Sequence, residues 1–176
     1  MDRSKITAGI SALIEQHLDR QTCVWGSEVS IESLGRCRPD YLAVSASYGK
    51  FATISAIERA EVTVYEVKSC LADFKSGNGL NEVGDTNWLV MPYEVLRKIV
   101  ERGEQYSLGR WSFAYPYPVS HGRIPDIDNL PAYEGQTDGW KIYWGNKHLS
   151  NVSSRPMPVM VYLWALLHSV NNGCDA

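Results

Sequence analysis

Three residues have the types and the spacing to do chemistry together. Asp40 stands in "RPDYLAVS", and Glu66 and Lys68 stand in "VTVYEVKSCLADF". Residues two apart on a strand share a face. Glu66 and Lys68 therefore point the same way as Val64, while Tyr65 and Val67 point the other way. In the earlier segment Asp40 shares its face with Arg38 and Leu42. If the two segments pair, Asp40 and Glu66 converge. Two buried carboxylates that close repel, and one would hold a proton. A divalent cation between them lets both ionise, and Mg²⁺ (or Mn²⁺) is a cation that carboxylate oxygens suit. Such an ion acidifies a water into a nucleophile. Lys68 would orient that water or offset charge developing on a phosphate. The competing reading is a solvated sheet face whose ion pair is worth little. Val64 and Leu42 fit that reading badly, because a solvated face reads polar along its length.

The elements that must position these groups can be read along the chain. Residues 4 to about 18 predict an amphipathic helix, with Ile6, Ile10, Leu13, Ile14 and His17 on one face and Ser4 as N-cap. Residues 22–33 and 38–45 predict a strand pair with Gly35 at the turn. Residues 47–60 read as a loop with short decoration, and 61–68 as the third strand. A short helix capped by Ser69 and running through Lys75 would stop at the glycines of "SGNGLNEVGD". "NWLVM" over 87–91 predicts a fourth strand, and Pro92 opens a helix to about 100. Beyond 103, alternating aromatics and prolines suggest extended segments and turns. Pro156 or Pro158 starts a last helix, apolar nearly all round and hence buried in a core or a subunit interface. The expectation is an α/β (α+β) fold, a mixed central sheet of about four or five strands flanked by helices.

"GRCRPDYLAVS", then "VYEVKSCLADF", then a strand ending in "VMP" before a helix together resemble the PD-(D/E)XK nuclease superfamily. With 25 residues between Asp40 and Glu66, and with Ser69, Asp73 and Phe74 following, the text is similar to MmcB-like DNA-repair proteins over about residues 23–101. The resemblance implies a restriction-endonuclease-like core at about 4–101, with a C-terminal elaboration at about 103–176 of one domain spanning 1–176. It implies Asp40, Glu66 and the main-chain carbonyl of Val67 as metal ligands and Lys68 as the catalytic lysine. It also implies a Mg²⁺-dependent deoxyribonuclease acting in DNA repair or on mobile-element DNA. One departure is plain. Where the family carries an Asp and a Lys-Trp pair after the Phe, this chain has the glycine-rich "KSGNGLNEVGD", which puts the substrate contacts of that segment in question.

Other residues carry weaker signals. Glu15 on the first helix and Glu28 before "VSI" are candidates for a further acid; a solvated helix face and an edge-strand surface are the respective alternatives. Arg36, Arg38, Ser69 and Lys75 are candidate nucleic-acid contacts. For the arginines the alternative is an exposed hairpin end, and for Lys75 a helix C-terminus that suits a cation. His17 reads as a core histidine, and His121, His148 and His168 show no ligand spacing. Trp111, Phe113, Tyr115 and Tyr117 alternate, so they either stack on single-stranded bases or pack a core.

The bulk numbers limit the classes. A chain of 176 residues, 44% hydrophobic and 21% charged, suits one soluble domain. A net charge of -3 gives no global basic field, so contact with DNA requires a local patch. Four cysteines without CxxC or zinc spacing suggest reduced thiols and a cytoplasmic location. No apolar run is long enough to cross a bilayer, so no membrane partner is expected. Three functions compete: a metal-dependent nuclease, a nuclease-fold DNA-binding or accessory module without catalysis, and an interaction protein that forms a homodimer through the last helix.

Overall fold

In the computed structural model, residues 2–35, 37–46, 51, 53–104, 109–119, 127–145 and 155–172 are described. The elements run α1 (Arg3–Leu18), β1 (Cys23–Ser27), β2 (Tyr41–Ser45), α2 (Ile54–Glu58), β3 (Glu61–Val67), α3 (Leu71–Lys75), β4 (Thr86–Val90), α4 (Tyr93–Glu101), β5 (Trp111–Pro118), β6 (Trp140–Trp144) and α5 (Val159–Asn172). The strands form one six-stranded sheet whose spatial order equals their order in the chain. The first three pair antiparallel, β4 and β5 join parallel to β3, and β6 returns antiparallel. The mixed α+β class therefore holds. The count of four or five strands is corrected to six, because "RWSFAYPYP" and "GWKIYW" from the aromatic stretch beyond 103 pair into the same sheet.

Helices cover both faces, which is why β3 is apolar on both sides. On one face α1 lays Ile6, Ile10, Leu13, Ile14 and Leu18 against Tyr41, Ala43, Tyr65, Val67, Trp88 and Val90. On the other, Phe74 of α3, Val95 and Ile99 of α4, and Tyr162 and Leu166 of α5 pack on Leu42, Val44, Val62, Val64 and Leu89. The aromatics of β5 belong to this second cluster. Trp111 and Tyr115 are buried, and Phe113 and Tyr117 pack against them. They are core residues.

Local details differ from expectation where side chains compete for the backbone. The cap of α1 is Asp2, whose carboxylate accepts the N–H groups of Ser4 and Lys5. The first strand ends at Ser27, because Glu28 turns into the left-handed region at φ 54°. Ile31 then bridges to Cys37 around a short 3-10 turn, Glu32–Leu34, and Gly35 closes it at φ 67°. Ser69 does not cap α3; that position falls to Cys70, and Ser69 is buried. Pro92 occupies the N-cap position of α4, one residue earlier than expected. The decoration between β2 and β3 is α2, capped by Thr53. Cys23, Cys37 and Cys70 are free thiols. Among the described residues no helix is long and apolar enough to cross a membrane.

Candidate functional site

The register of β2 and β3 sets Tyr41 against Tyr65 and Leu42 against Val64; one step further it sets Asp40 against Glu66. The side chains confirm the approach. An Asp40 carboxylate oxygen (Oδ2) accepts the backbone N–H of Val67 at 2.7 Å, which ties the end of β2 to the end of β3. Glu66 lies on the same face as Val62 and Val64, among the side chains of the second core cluster. Lys68, two residues on, returns to that face, and its Nζ meets Glu66 Oε1 at 2.9 Å.

Both members of this pair are almost out of water: Glu66 is 5% exposed and Lys68 3%. The second carboxylate oxygen of Glu66, Oε2, is buried and has no hydrogen-bond partner. Burial, and then the charge of Asp40, push the Glu66 carboxyl up to about 7, against the pull of Lys68 and of the Asp40 backbone N–H, which lies close to the carboxylate without reaching a well-formed bond to Oε2. Asp40, half-buried, is also raised, first by burial, with the Val67 N–H and Lys68 opposing. Glu28 and Asp73 add negative charge around Asp40. The Cys37 thiol is pushed up by burial and by the neighbouring Glu66 carboxylate.

An orphaned carboxylate oxygen beside a second carboxylate is the donor set a hard divalent cation suits. It supplies the missing partner and removes the repulsion that raises Glu66. On that test the residues fit the ion. Among the described residues no group of three or more His, Cys, Asp or Glu side chains is placed to hold a metal. The candidate centre is thus two carboxylates, to which the Val67 carbonyl is the expected addition.

The remaining candidates divide. Glu15 is spent across the sheet, where it accepts the Tyr41 hydroxyl at 2.8 Å. Tyr41 belongs to the α1 face, opposite to that of Glu66, so this bond does not direct Glu15 toward the pair. Glu28 stands beside Asp40 through the backbone, its N–H donating to the Asp40 carbonyl at 2.9 Å. Its exposed carboxylate pairs with Arg38 at 3.0 Å, so Arg38 is held at the rim of the site and open to solvent. Ser69 donates its backbone N–H to Asp73, which explains the Asp73 that follows the lysine. Lys75 is exposed and pairs with Glu104 at 3.5 Å. Arg36 lies outside the described residues, as do His121 and His148. His17 is half-buried, tilted against Trp144 at 4.5 Å, and burial lowers its pKa.

Sequence reasoning missed one contributor. The glycine-rich stretch after α3 folds back over the charged pair, and the Asn78 carbonyl accepts Lys68 Nζ at 2.6 Å. Gly79 follows at φ 75°, and a Cβ there would stand 1.7 Å from Glu66 Oε1. The signal was present as glycines, but a glycine run reads first as a helix stop. Compared with protein-family models, with curated proteins and with solved structures, the chain matches none.

Proposed function

We propose that this protein is a metal-dependent nuclease that hydrolyses phosphodiester bonds in DNA, built on a restriction-endonuclease-like core. The observation that carries the reading is the approach of Asp40 and Glu66 at the ends of adjacent strands, with Lys68 just past the end of β3 and bonded to Glu66. Asp40, Glu66 and the Val67 carbonyl would hold Mg²⁺ or Mn²⁺. When bound, such an ion supplies an acidified water and countercharge for a phosphate. Lys68, which pairs with Glu66, would neutralise charge growing on the phosphate oxygens. Arg38 at the rim would meet the backbone, and Ser69 and Lys75 remain candidates for the same contact. DNA repair or mobile-element processing is the setting that the sequence resemblance implies.

The test is cleavage of single-stranded, duplex, nicked and branched DNA with Mg²⁺ or Mn²⁺ by the wild type, Asp40→Ala and Lys68→Ala. Cleavage by the wild type alone is expected. Equal activity in all three proteins would eliminate the nuclease.

One observation favours a second reading. Glu66 and Lys68 are buried beneath the stretch that follows α3, as they would be in a nuclease-fold module that binds DNA without cutting it. That module would retain DNA and show no heat on titration with Mg²⁺ or Mn²⁺. Against it stands the cost of the pair, since a site retired from chemistry gains little by keeping Glu66 and Lys68 buried beside Asp40. A third element belongs to assembly: Met160, Trp164 and Leu167, exposed on α5, are the surface through which a homodimer would form.

A further inference from the structure

The groups that a nuclease must show to its substrate are buried, and among the described residues the segment after α3 lies against both of them. Residues 77 and 78 are solvent-exposed, yet the Asn78 carbonyl is bonded to a lysine that is 3% exposed. We propose that residues 76–81 form a gate, closed in this structure over Lys68 and Glu66, which must swing outward before the pair can meet a polyanionic strand. This regulation rests on the reading of Asp40, Glu66 and Lys68 as the functional site.

The attachments of the segment support a hinged cover. At its start, Ser76 finishes α3, with its hydroxyl donating to the Asp73 carbonyl at 2.7 Å. At its far end Glu82 accepts the backbone N–H and the Nε of Arg110 at 3.0 and 3.1 Å, and the chain just beyond is held at two further points. The Tyr162 hydroxyl donates to the Val83 carbonyl at 2.5 Å, and Asn87 bonds both the N–H and the carbonyl of Gly84. Between these anchors the bonds are local: Gly77 to Phe74, Asn78 to Ser76, Leu80 to Gly77, Asn81 to Gly79. Among the described residues, the hydrogen bond that crosses from 77–81 to the body is that from Lys68 to Asn78. Leu80, half-buried against the second core cluster, adds a single apolar contact point. A segment with so few ties opens at low free energy while the sheet below stays folded.

Two glycines set the closed position. Gly77 at φ 69° and Gly79 at φ 75° adopt backbone that L side chains resist. They differ usefully. A Cβ on Gly77 would meet nothing within 4 Å, whereas one on Gly79 would strike the Glu66 carboxylate. Gly77→Ala should therefore weaken closure through backbone strain alone, and Gly79→Ala should forbid it.

The experiment measures the rate at which an acetylating amine reagent modifies Lys68, by peptide mass spectrometry on the full chain, with exposed Lys5 and Lys98 as references. Hydrogen exchange of 77–83 and of β3 is followed in the same samples. In the wild type Lys68 should react far more slowly than Lys5 and Lys98. Gly77→Ala should speed it on the order of five- to thirty-fold, the equivalent of a left-handed alanine. Gly79→Ala should bring it close to the references, with β3 amides still protected. A wild-type Lys68 as reactive as Lys5, or a rate unchanged by Gly77→Ala and Gly79→Ala, would overturn the gate. If Gly79→Ala loses β3 protection as well, Gly77→Ala alone decides. The labelling needs no activity. If no variant cleaves DNA but the labelling order holds, the nuclease reading falls and the gate stands.

Discussion

Glu66 answers to two opposing demands. Its position on β3 takes it into the core, and burial plus the Asp40 charge favour the protonated form. Lys68, at 2.9 Å, favours the carboxylate. Burial prevails, and the carboxyl is pushed up from 4.5 to about 7. The sign of the linkage follows. Between those values the folded protein keeps a proton that the unfolded chain has released, so stability falls as pH rises through that window. The slope is at most about 1.4 kcal/mol per pH unit, and the loss is complete above the folded value. The difference in urea-unfolding free energy between wild type and Glu66→Gln, measured from pH 4 to 8 in EDTA, should show that decline. A divalent cation competes with the proton for the same oxygens. Added Mg²⁺ should consequently stabilise the wild type more at pH 8 than at pH 5, and Asp40→Asn much less at either. A flat pH difference would mean that Glu66 ionises in the fold as it does in water.

At the level of elements, the two strands that matter were legible because each is a short apolar run in which residues two apart share a face. Leu42 and Val44 on β2, and Val62 and Val64 on β3, announce the face that Asp40 and Glu66 share. Pairing of those strands in that register brought the two acids together as expected. What stayed illegible was whatever depends on backbone that departs from a period. Glu28 ends β1 by itself taking φ 54°, a conformation that its residue type does not announce. The fold-back of Asn78 over Lys68 joins residues whose pairing no spacing rule encodes. The same holds for Arg155, just before α5. Its guanidinium hydrogen-bonds Asp85 and the carbonyls of Ala60 and Glu58, so it fastens the last helix to the ends of α2 and β3. Asp85 in turn accepts the Val62 N–H at 2.9 Å. Arg155→Met keeps the apolar stem and removes these bonds from a partly buried place. It should cost about 1–3 kcal/mol in chemical unfolding, with the Lys68 labelling rate unchanged. A loss well under that range would make Arg155 a surface decoration.

For the molecule as a whole, the question is what α5 does with its second face. Val159, Tyr162 and Leu166 are buried against the sheet, and the helix packs over β1, β2 and β3. Met160, Trp164 and Leu167 are on the other side, at 58%, 65% and 62% exposure. Trp164 stacks edge-on with His168 at 4.3 Å, and Ile54 on the adjoining α2 is exposed as well. Residues spaced by four and three lie on one helical face, so the three form a stripe. An exposed tryptophan flanked by long apolar side chains is the composition of an interface centre, and two copies related by a two-fold axis would bury it in one step. Removing α5 cannot test this, because the same helix supplies core. Trp164→Lys combined with Leu167→Glu leaves the buried residues intact. Light scattering coupled to size exclusion, run from about 1 to 100 μM, the span in which interfaces of modest size associate, should show the wild type moving from monomer to dimer mass. The double variant should stay monomeric with an unchanged thermal midpoint and unchanged Lys68 labelling. A wild type that remains monomeric across that span would leave the stripe without a second copy to cover it, while the proposed site would be unaffected, since Asp40, Glu66 and Lys68 all come from one chain.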